Sequence, residues 1–443
     1  MNILIKNGKL LLNDQGQFQI SSGSLIIQGN RIQKIISCGD SYENREGFDK
    51  VIDASGKLVM PGLINSHAHA YMSIFKNYAD DLEFFDWLDK VQAVEDYMTE
   101  EDCYWTTLLA IIEMLRTGTT CFVDMNMRSA KNGAKTGPQG ACSAAVNESG
   151  IRAFLSRGLV GEADDKDSLR RFREFFAEID LYPENGRVRF LLGPHAPYSC
   201  MPSLLKKITE YGKEKGLMAT VHLSESETEV KNMAEGHNKI TPIQYVAESG
   251  LFELPTIAAH CVNVTAEDLD ILKKHDVSIV INPKSNMKLG NGFAPVPQFL
   301  EKKINVCIGT DGSGSNNTQN LFREMNTAAL IYKGKEKKAK CVDAADVLKF
   351  ATVNAAKALG MEEQLGVLKE GALADVILLD LNQPQFVPQN NIISGLVYSA
   401  DGSEVETVII DGQIVMEKRK IKTIDVEEVY RKCEEIASRL GMN

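Results

Sequence analysis

The chain of 443 residues has no uninterrupted apolar run that approaches the ~18 residues needed to cross a bilayer. Its first segment, MNILIKNGKLLLND, places Lys6 and Lys9 among the apolar residues, so the continuous apolar core of a secretory signal peptide is missing. From these two absences we expect no membrane partner and a cytoplasmic location.

Closely spaced cysteines and excess basic charge are also missing. No two of the nine cysteines lie closer together than Cys103 and Cys121, a spacing that favours reduced thiols over a disulfide framework or a CxxC zinc site. Acidic residues number 60 against 49 basic ones, giving a formal charge of -11. Because the field of such a chain repels phosphate backbones, we expect no nucleic-acid partner.

The composition that remains is typical of a globular protein, with 44% hydrophobic and 25% charged residues. A single hydrophobic core usually stops growing at about 250–300 residues. The length of 443 residues therefore predicts a large domain with a smaller companion.

The two ends of the chain share a pattern of short apolar strands separated by turn residues. ILIKNGKLLL and SLIIQGNRIQKII stand near the start, and ADVILLDL and VETVIIDGQIVMEKRKI stand near the end. A hairpin cannot bury its apolar face alone, so we expect residues 1–59 and 366–424 to form one small β-sandwich. The pattern of residues 425–443 predicts a terminal amphipathic helix.

Between these ends, amphipathic helical stretches alternate with short apolar runs such as VRFLLGPH, LMATVHL and INVCIGTD. This alternation is typical of βα units and a parallel sheet, and so of an α/β fold. Residues 60–365 are numerous enough for a (β/α)₈ barrel. An open, doubly wound sheet is the alternative, because periodicity alone does not separate the two.

Five of the seven histidines stand at or just beyond the ends of predicted strands. They are His67, His69, His195, His222 and His260. In a barrel the active site lies at the carboxyl ends of the strands, where residues distant in sequence converge. The pattern therefore predicts one shared site.

Four of the residues at these strand ends suit a metal ion. His67 and His69 are two positions apart, so in extended backbone both imidazoles point to one face. His222 offers a third nitrogen and Asp311 a carboxylate oxygen, a set that suits zinc and also iron. Because a divalent cation lowers the pKa of a bound water to about 7, hydrolysis is the expected class of reaction.

Two further residues lie where they can move protons, although each has an ordinary structural interpretation. Glu225 follows His222 by three residues and can reach the attacking water, but it also suits the start of a helix. His260 can bond the water or the substrate, or pack at a strand end. Asp311 can likewise cap the helix after GSGSNN, but a capping role does not explain the metal-competent histidines.

The ordered motifs extend over nearly the whole chain and resemble a known superfamily. They are VMPGLINSHAHA, GPHAPYSC, HLSE, AAHCV, NPKSNMKLGNGFAPV and GTDGSGSNN. In this order they resemble the metal-dependent aminohydrolase branch of the amidohydrolase superfamily. Within that branch the pattern is most similar to the deaminases of 5-methylthioadenosine, S-adenosylhomocysteine and 5'-deoxyadenosine.

The resemblance implies specific roles for the residues at the strand ends. His67, His69, His222 and Asp311 match the ligands of a single zinc or iron ion, zinc being our expectation. Glu225 matches the glutamate that moves a proton onto the purine ring. His260 matches the histidine beside the attacking hydroxide, and Asp311 also accepts a proton. VRFLLGPHAP has no lysine to bridge a second metal, so one metal is expected.

The resemblance also implies a set of substrate-binding residues. Glu95 matches a glutamate that holds ribose hydroxyls, His195 a histidine that contacts the nucleoside, Arg157 an arginine near the sugar or its 5' substituent, and Trp87 an apolar wall. Glu225 also contacts the substrate. The segment from Trp87 to Glu95 is one residue shorter than the family pattern. Some family members use a second arginine after RGLV, and here Arg170 and Arg171 both fit.

We therefore expect a metal-dependent hydrolase that deaminates the adenine ring of 5'-modified adenosines, and of adenosine itself, to the inosine analogue and ammonia. The partner is then a small nucleoside, and the resemblance is compatible with a homo-oligomer. One alternative is an aminohydrolase or chlorohydrolase of another N-heterocycle, such as guanine, a pterin or a triazine. A non-catalytic scaffold on the same fold is the other alternative.

Overall fold

The structure is a computed structural model that describes residues 1–14, 16–37, 47–127, 140–183, 186–236 and 239–442. Within these residues the chain forms a closed barrel of eight parallel strands, numbered here as barrel strands 1 to 8. They are Leu63–His69, Thr119–Asn126, Arg152–Leu159, Val188–Phe190 with Gly193–Pro194, Ala219–Leu223, Thr256–His260, Ser278–Ile281, and Val306–Ile308 with Asp311–Gly312. The barrel confirms the predicted α/β fold class and excludes the open sheet.

The barrel closes at two joints. Barrel strands 1 to 4 pair in order, as do barrel strands 5 to 8. The first joint is a bridge between Leu192 and Ala219, and the second pairs Asp311 with Ala68. At the second joint the strands approach so closely that a Cβ on Gly309 would lie 2.8 Å from the backbone nitrogen of His67. Closure therefore brings Asp311 beside the histidines of barrel strand 1.

Helices follow the barrel strands and form the outer layer. In chain order they are Phe84–Glu95, Glu100–Arg116, Ala141–Ser149, Lys166–Leu181, Pro202–Lys215, Glu227–Gly236, Pro242–Glu248, Ala266–Lys274, Pro283–Lys288, Val296–Glu301, Ser313–Asn316, Leu321–Glu336, Ala344–Phe350, Val353–Ala358, Ile392–Tyr398 and Val426–Arg439. Short 3₁₀ turns occupy Ala70–Phe75, Pro197–Ser199, Leu251–Glu253 and Pro384–Phe386. Several helices begin with a capping box, as at Thr99 and Asp102, which satisfies free backbone N–H groups of the first turn.

The predicted association of the two chain ends is confirmed, and in the described residues their strands form one flanking sheet where the sequence predicted a β-sandwich. They are Asn2–Asp14, Gln17–Gln28, Arg31–Ser37, Lys50–Asp53, Lys57–Pro61, Val376–Asp380, Val405–Ile410, Gln413–Glu417 and Lys420–Ile421. The two halves join where Lys57–Pro61 pairs antiparallel with Val376–Asp380. Lys57–Pro61 leads directly into barrel strand 1, so the sheet is continuous in sequence with the first barrel strand.

The flanking sheet buries both of its faces near this junction. Val376 and Leu378 pack into the sheet's own core together with Ile3 and Leu25. Ile377 and Leu379, at the alternate positions, belong to the core shared with the barrel. This alternation follows from the period of two in a strand, and it attaches the sheet firmly to the barrel.

A buried ion pair also joins the barrel to the flanking sheet. Arg152, at the start of barrel strand 3, donates from Nε to Asp375 Oδ2 at 2.7 Å and from Nη2 to Asp375 Oδ1 at 2.9 Å. Both side chains are almost fully buried. The bidentate geometry fixes the carboxylate that precedes strand Val376–Asp380.

Three further observations concern the cysteines, possible membrane spans and one of the histidines. The eight cysteines in the described residues are free thiols. Among the helices of the described residues, none combines the length and apolar character required to cross a bilayer. Of the two histidines that are not predicted site residues, His237 lies outside the described residues.

Candidate active site

A cavity of about 360 Å³ opens at the carboxyl ends of the barrel strands, within the size range of small-molecule sites. One wall is helix Phe84–Glu95, and the floor consists of residues at the strand ends. The predicted site residues that line it are His69, Trp87, Glu95, His195, His222, Glu225, His260 and Asp311. His67 lies directly beneath, almost fully buried.

The four predicted metal ligands converge on one point. Their candidate ligand atoms all lie within 4.8 Å of one another. Asp311 Oδ1 is 3.5 Å from His67 Nε2 and 3.4 Å from His69 Nε2, and His69 Nε2 is 3.0 Å from His222 Nε2. The barrel therefore brings together residues of barrel strands 1, 5 and 8, which are far apart in sequence.

Hydrogen bonds determine which ring nitrogens of two histidines face this point. His69 Nδ1 donates to the carbonyl of Met125 at 2.6 Å, and His222 Nδ1 donates to the carbonyl of His195 at 2.8 Å. A carbonyl oxygen only accepts, so each Nδ1 carries the proton and each Nε2 presents a lone pair. Two lone pairs that face each other across 3.0 Å repel unless a cation lies between them. The donor set therefore fits a divalent metal ion.

The Asp311 carboxylate is oriented by two hydroxyl groups. Ser285 Oγ donates to Oδ2 at 2.6 Å and Ser315 Oγ donates to the same oxygen at 2.9 Å. Oδ1 is thereby turned towards the histidines. Burial alone would raise the pKa of Asp311, but hydrogen bonding to His67 and the nearby histidines outweigh it and hold the pKa well below its usual range. Burial lowers the pKa of His67 to about 4, so His67 is neutral and able to bind a cation.

Glu225 and His260 form a second group beside Asp311. Glu225 Oε2 is 3.5 Å from His260 Nε2, and both side chains are buried. Burial, together with the charges of Asp311 and Glu229, raises the pKa of Glu225 well above its usual range. Burial lowers the pKa of His260, whose Nδ1 donates to Asn286 Oδ1 at 2.8 Å. Burial therefore favours the protonated form of the Glu225 carboxyl group and the neutral form of the His260 imidazole.

Left-handed backbone conformations occur at three of these strand ends. Ser224 has φ +51°, His260 φ +75° and Asp311 φ +64°. Such conformations cost a residue with a side chain about 1–2 kcal/mol. They turn the chain sharply at the strand end and aim the adjoining side chains into the cavity.

The wall residues Trp87 and Glu95 are fixed by contacts that the sequence did not predict. Trp87 Nε1 donates to the carbonyl of Gly314 at 3.1 Å, which attaches helix Phe84–Glu95 to the short helix Ser313–Asn316 that follows barrel strand 8. Tyr71, two residues after His69, donates its hydroxyl to Glu95 Oε1 at 2.9 Å. Tyr71 lies two residues beyond the HAH motif, and this proximity is the one indication in the sequence that Tyr71 belongs to the site.

His195 also lines the cavity, where its Nδ1 lies 2.8 Å from Ser199 Oγ. Burial lowers the pKa of His195 to about 3, so this imidazole is neutral at physiological pH. It therefore provides a hydrogen-bonding group without adding positive charge next to the metal ligands.

The predicted arginines lie in different environments. Arg157 does not line the described part of the cavity, and its guanidinium group pairs with Glu174 at 3.0 Å and Glu178 at 3.2 Å. Of the two arginines left open by the sequence, Arg171 lines the cavity and Arg170 forms an ion pair with Asp167 on the helix surface. Arg171 is held by the carbonyls of Met127 and Gly158, at 2.9 and 2.8 Å.

A barrel with histidine and aspartate ligands at the carboxyl ends of its strands is the architecture of metal-dependent hydrolases. The model of the amidohydrolase family matches residues 58–415, and the chain belongs to this family. The 5-methylthioadenosine/S-adenosylhomocysteine deaminase of Caldanaerobacter subterraneus subsp. tengcongensis is 43% identical over 443 residues, 99% of each chain. These findings confirm the family that the sequence motifs predicted.

Solved structures agree with this assignment. An adenosine deaminase from Xanthomonas campestris with bound zinc superposes with a TM-score of 0.91 and 25% identity, covering 100% of this chain and 99% of the other. Atrazine chlorohydrolase TrzN from Arthrobacter aurescens TC1, complexed with zinc, gives a TM-score of 0.88 at 23% identity and covers 98% and 99%. The second similarity shows the shared fold.

Proposed function

We propose that the protein removes the amino group from the adenine ring of 5'-modified adenosines by hydrolysis, giving the inosine analogue and ammonia. The observation that carries this proposal is the 43% identity, along the full length, to a 5-methylthioadenosine/S-adenosylhomocysteine deaminase. The site supports it, because Glu225, with a raised pKa, and His260, with a lowered pKa, lie beside a cluster of residues that could hold a cation.

His67, His69, His222 and Asp311 would hold one divalent cation, for which we propose zinc, with iron as the alternative. When bound, such a cation supplies a Lewis acid and lowers the pKa of water towards neutrality. The zinc in the adenosine deaminase from Xanthomonas campestris supports this choice of metal.

Three side chains would move the protons of the reaction. Glu225, whose pKa is raised by burial, would donate a proton to a nitrogen of the purine ring and make C6 more electrophilic. Asp311 and His260 accept the proton released by the attacking water. The water oxygen becomes the carbonyl oxygen at C6, and the amino group leaves as ammonia once it has gained a proton.

The cavity walls would hold the nucleoside. Glu95, whose Oε1 accepts a hydrogen bond from Tyr71, would bind the ribose hydroxyls. Trp87 forms an apolar wall, and His195 contacts the base or sugar. Arg171 would contact the 5' substituent, whereas Arg157 would act indirectly by holding helix Lys166–Leu181 through Glu174 and Glu178.

The test is ammonia release from metal-loaded protein with adenosine, 5'-deoxyadenosine, 5-methylthioadenosine, S-adenosylhomocysteine, guanine and a triazine. We expect turnover of the adenosine derivatives alone. Turnover confined to guanine or the triazine would contradict the proposed substrate and our assignment of Glu95. No turnover of any compound by fully metal-loaded protein would favour the scaffold alternative.

The variant Glu225→Gln separates the proton role from metal binding. The amide cannot supply the proton, so we expect kcat to fall about 10²–10⁴-fold, the usual contribution of general acid–base catalysis. Metal content, measured by inductively coupled plasma mass spectrometry, should stay at the wild-type value. Near-normal kcat would refute the role of Glu225.

The variant His67→Ala tests the metal site. Removal of one of four ligands should deplete most of the bound metal from the purified protein, and activity with it. His275→Ala is the matched control, because His275 packs against Phe252 outside the site. Equal metal contents in the two variants would contradict the proposed ligand set.

A further inference from the structure

The chain segment 282–292, which follows barrel strand 7, contacts three residues of the site. Ser285 Oγ donates to Asp311 Oδ2 at 2.6 Å, and Asn286 Oδ1 accepts from His260 Nδ1 at 2.8 Å. Asn291 Nδ2 donates to Glu225 Oε1 at 3.0 Å. One short segment therefore orients the proposed proton donor and both proposed proton acceptors.

The backbone around Glu225 is already fixed by other residues. The Glu229 carboxylate accepts from the Glu225 N–H at 2.6 Å and from the Ser224 N–H at 3.3 Å. Asn263 Nδ2 donates to the Glu225 carbonyl at 3.1 Å. What remains free is rotation about the side-chain bonds of Glu225. Asn291 makes the hydrogen bond that restricts this rotation.

Asn291 is itself held rigidly and does not line the described part of the cavity. Its N–H donates to the Asn286 carbonyl at 2.8 Å, and it lies between Gly290 (φ +69°) and Gly292 (φ +103°). The side chain is 93% buried, since only 7% is exposed. The hydrogen bond to Glu225 is therefore the contact through which we expect Asn291 to affect a bound substrate.

The direction of the hydrogen bond selects one oxygen of the carboxyl group. Because the amide of Asn291 donates to Oε1, that oxygen acts as an acceptor. A proton carried by the carboxyl group would then reside on Oε2, the oxygen that lies 3.5 Å from His260 Nε2. The amide thus directs the acidic O–H towards the place where a substrate would bind.

We propose that Asn291 is a positioning residue for the deamination proposed above, and that it holds Glu225 so that Oε2 delivers the proton to the ring. The inference rests on the proposed function, since it requires Glu225 to act as the proton donor. Without Asn291, the carboxyl group rotates among several orientations, and only some of them reach the ring.

The experiment uses the full-length, metal-loaded protein and the best substrate of the panel. We compare Asn291→Ala and Asn291→Leu, each alone and combined with Glu225→Gln, by steady-state kinetics, which give kcat and KM. Met287→Leu is the control, because Met287 lies on the same segment and its side chain is partly exposed. Metal content and thermal unfolding report whether each variant is loaded and folded, and crystal structures report the Glu225 rotamer.

We expect both Asn291 variants to lower kcat by about 10–100-fold, part of the general-acid contribution, with little change in KM. In the Glu225→Gln background the same changes should have no further effect, because there is no proton left to position. The Glu225 side chain should occupy more than one rotamer in the crystal. The Met287→Leu control should match wild type.

Three results would overturn the inference. One is wild-type kcat in both Asn291 variants, and another is an equal loss in the wild-type and Glu225→Gln backgrounds. The third is an unchanged, single Glu225 rotamer in the variant crystals. If Glu225→Gln itself keeps full turnover, the proposed function of Glu225 fails as well. If Glu225→Gln is impaired and Asn291→Ala is not, the failure belongs to this inference alone.

Discussion

Arg170 and Arg171 are neighbours on helix Lys166–Leu181, yet only Arg171 reaches the cavity. Successive residues on a helix point about 100° apart, so the two side chains face different surroundings. Both arginines pair with Asp167 of their own helix, but Arg171 also donates to the carbonyls of Met127 and Gly158 beside the cavity. The difference makes the two arginines a matched pair for testing recognition of the 5' substituent.

We expect Arg171→Ala to lower kcat/KM for S-adenosylhomocysteine, which has a carboxylate tail, more than for 5'-deoxyadenosine, which has none. The lost interaction is a charge-assisted hydrogen bond, worth about 1.5–3 kcal/mol, or roughly a 10–150-fold change in the ratio of the two kcat/KM values. Arg170→Ala should leave that ratio unchanged. Equal ratios in the two variants would show that Arg171 does not contact the tail.

For individual residues, the sequence predicted the positions at the strand ends better than those in the cavity walls. His67, His69, His222 and Asp311 each end an apolar run, so local patterning and the barrel rule were enough to bring them together. The position of Arg157 depends instead on two glutamates of a later helix. A contact between residues far apart in sequence leaves no trace in local periodicity.

The position of barrel strand 8 beside barrel strand 1 depends on Gly309, which has no side chain. At Gly309 a Cβ would lie 2.7 Å from Asn282 Oδ1 and 2.8 Å from both the nitrogen and the oxygen of the His67 backbone. Backbone atoms cannot move aside as the end of a flexible side chain can. The spacing between barrel strands 8 and 1, and therefore between Asp311 and the histidines, depends on glycine at this position.

Gly309→Ala should separate the two strands, weaken metal binding and lower the free energy of unfolding by about 1–3 kcal/mol, the usual cost of overpacking. Gly334→Ala is the control, since its added Cβ meets no atom within 4 Å in helix Leu321–Glu336. That control should be stabilised by about 0.5–1 kcal/mol. Urea unfolding and metal analysis of both variants test this. Wild-type metal affinity in Gly309→Ala would contradict it.

The sequence predicted the elements because their signals are local. The apolar runs predicted the barrel strands, and the shared strand pattern of the two chain ends predicted that these ends pair beside the barrel. The sequence did not indicate that segment 282–292 contacts Asp311, His260 and Glu225 at once. Those contacts arise only when barrel strands 5 to 8 lie side by side.

Over the whole molecule, Arg152 and Asp375 join the barrel to the flanking sheet from positions 223 residues apart. The side chains are 1% and 4% exposed, so neither charge can be solvated if its partner is removed. Such a pair is costly to break from one side, because the remaining charge stays buried.

We expect Arg152→Met to lower the free energy of unfolding by about 3–5 kcal/mol. Arg152→Met combined with Asp375→Leu should recover part of the loss, because neither fully buried charge remains and Asp411, which also pairs with Arg152 at 3.2 Å, is 23% exposed. Denaturant unfolding of the wild type, both single variants and the double variant gives the coupling energy. Losses that simply add in the double variant would contradict a specific pair.

The junction between Lys57–Pro61 and Val376–Asp380 has a consequence for synthesis in the cell. The ribosome adds about 5–20 residues per second, so strand Lys57–Pro61 waits roughly 15–60 s before strand Val376–Asp380 exists. During that interval the edge facing the missing strand is exposed on the nascent chain, and such edges recruit other strands. We therefore expect the growing polypeptide to be prone to aggregation until strand Val376–Asp380 emerges, and slower translation should increase this aggregation.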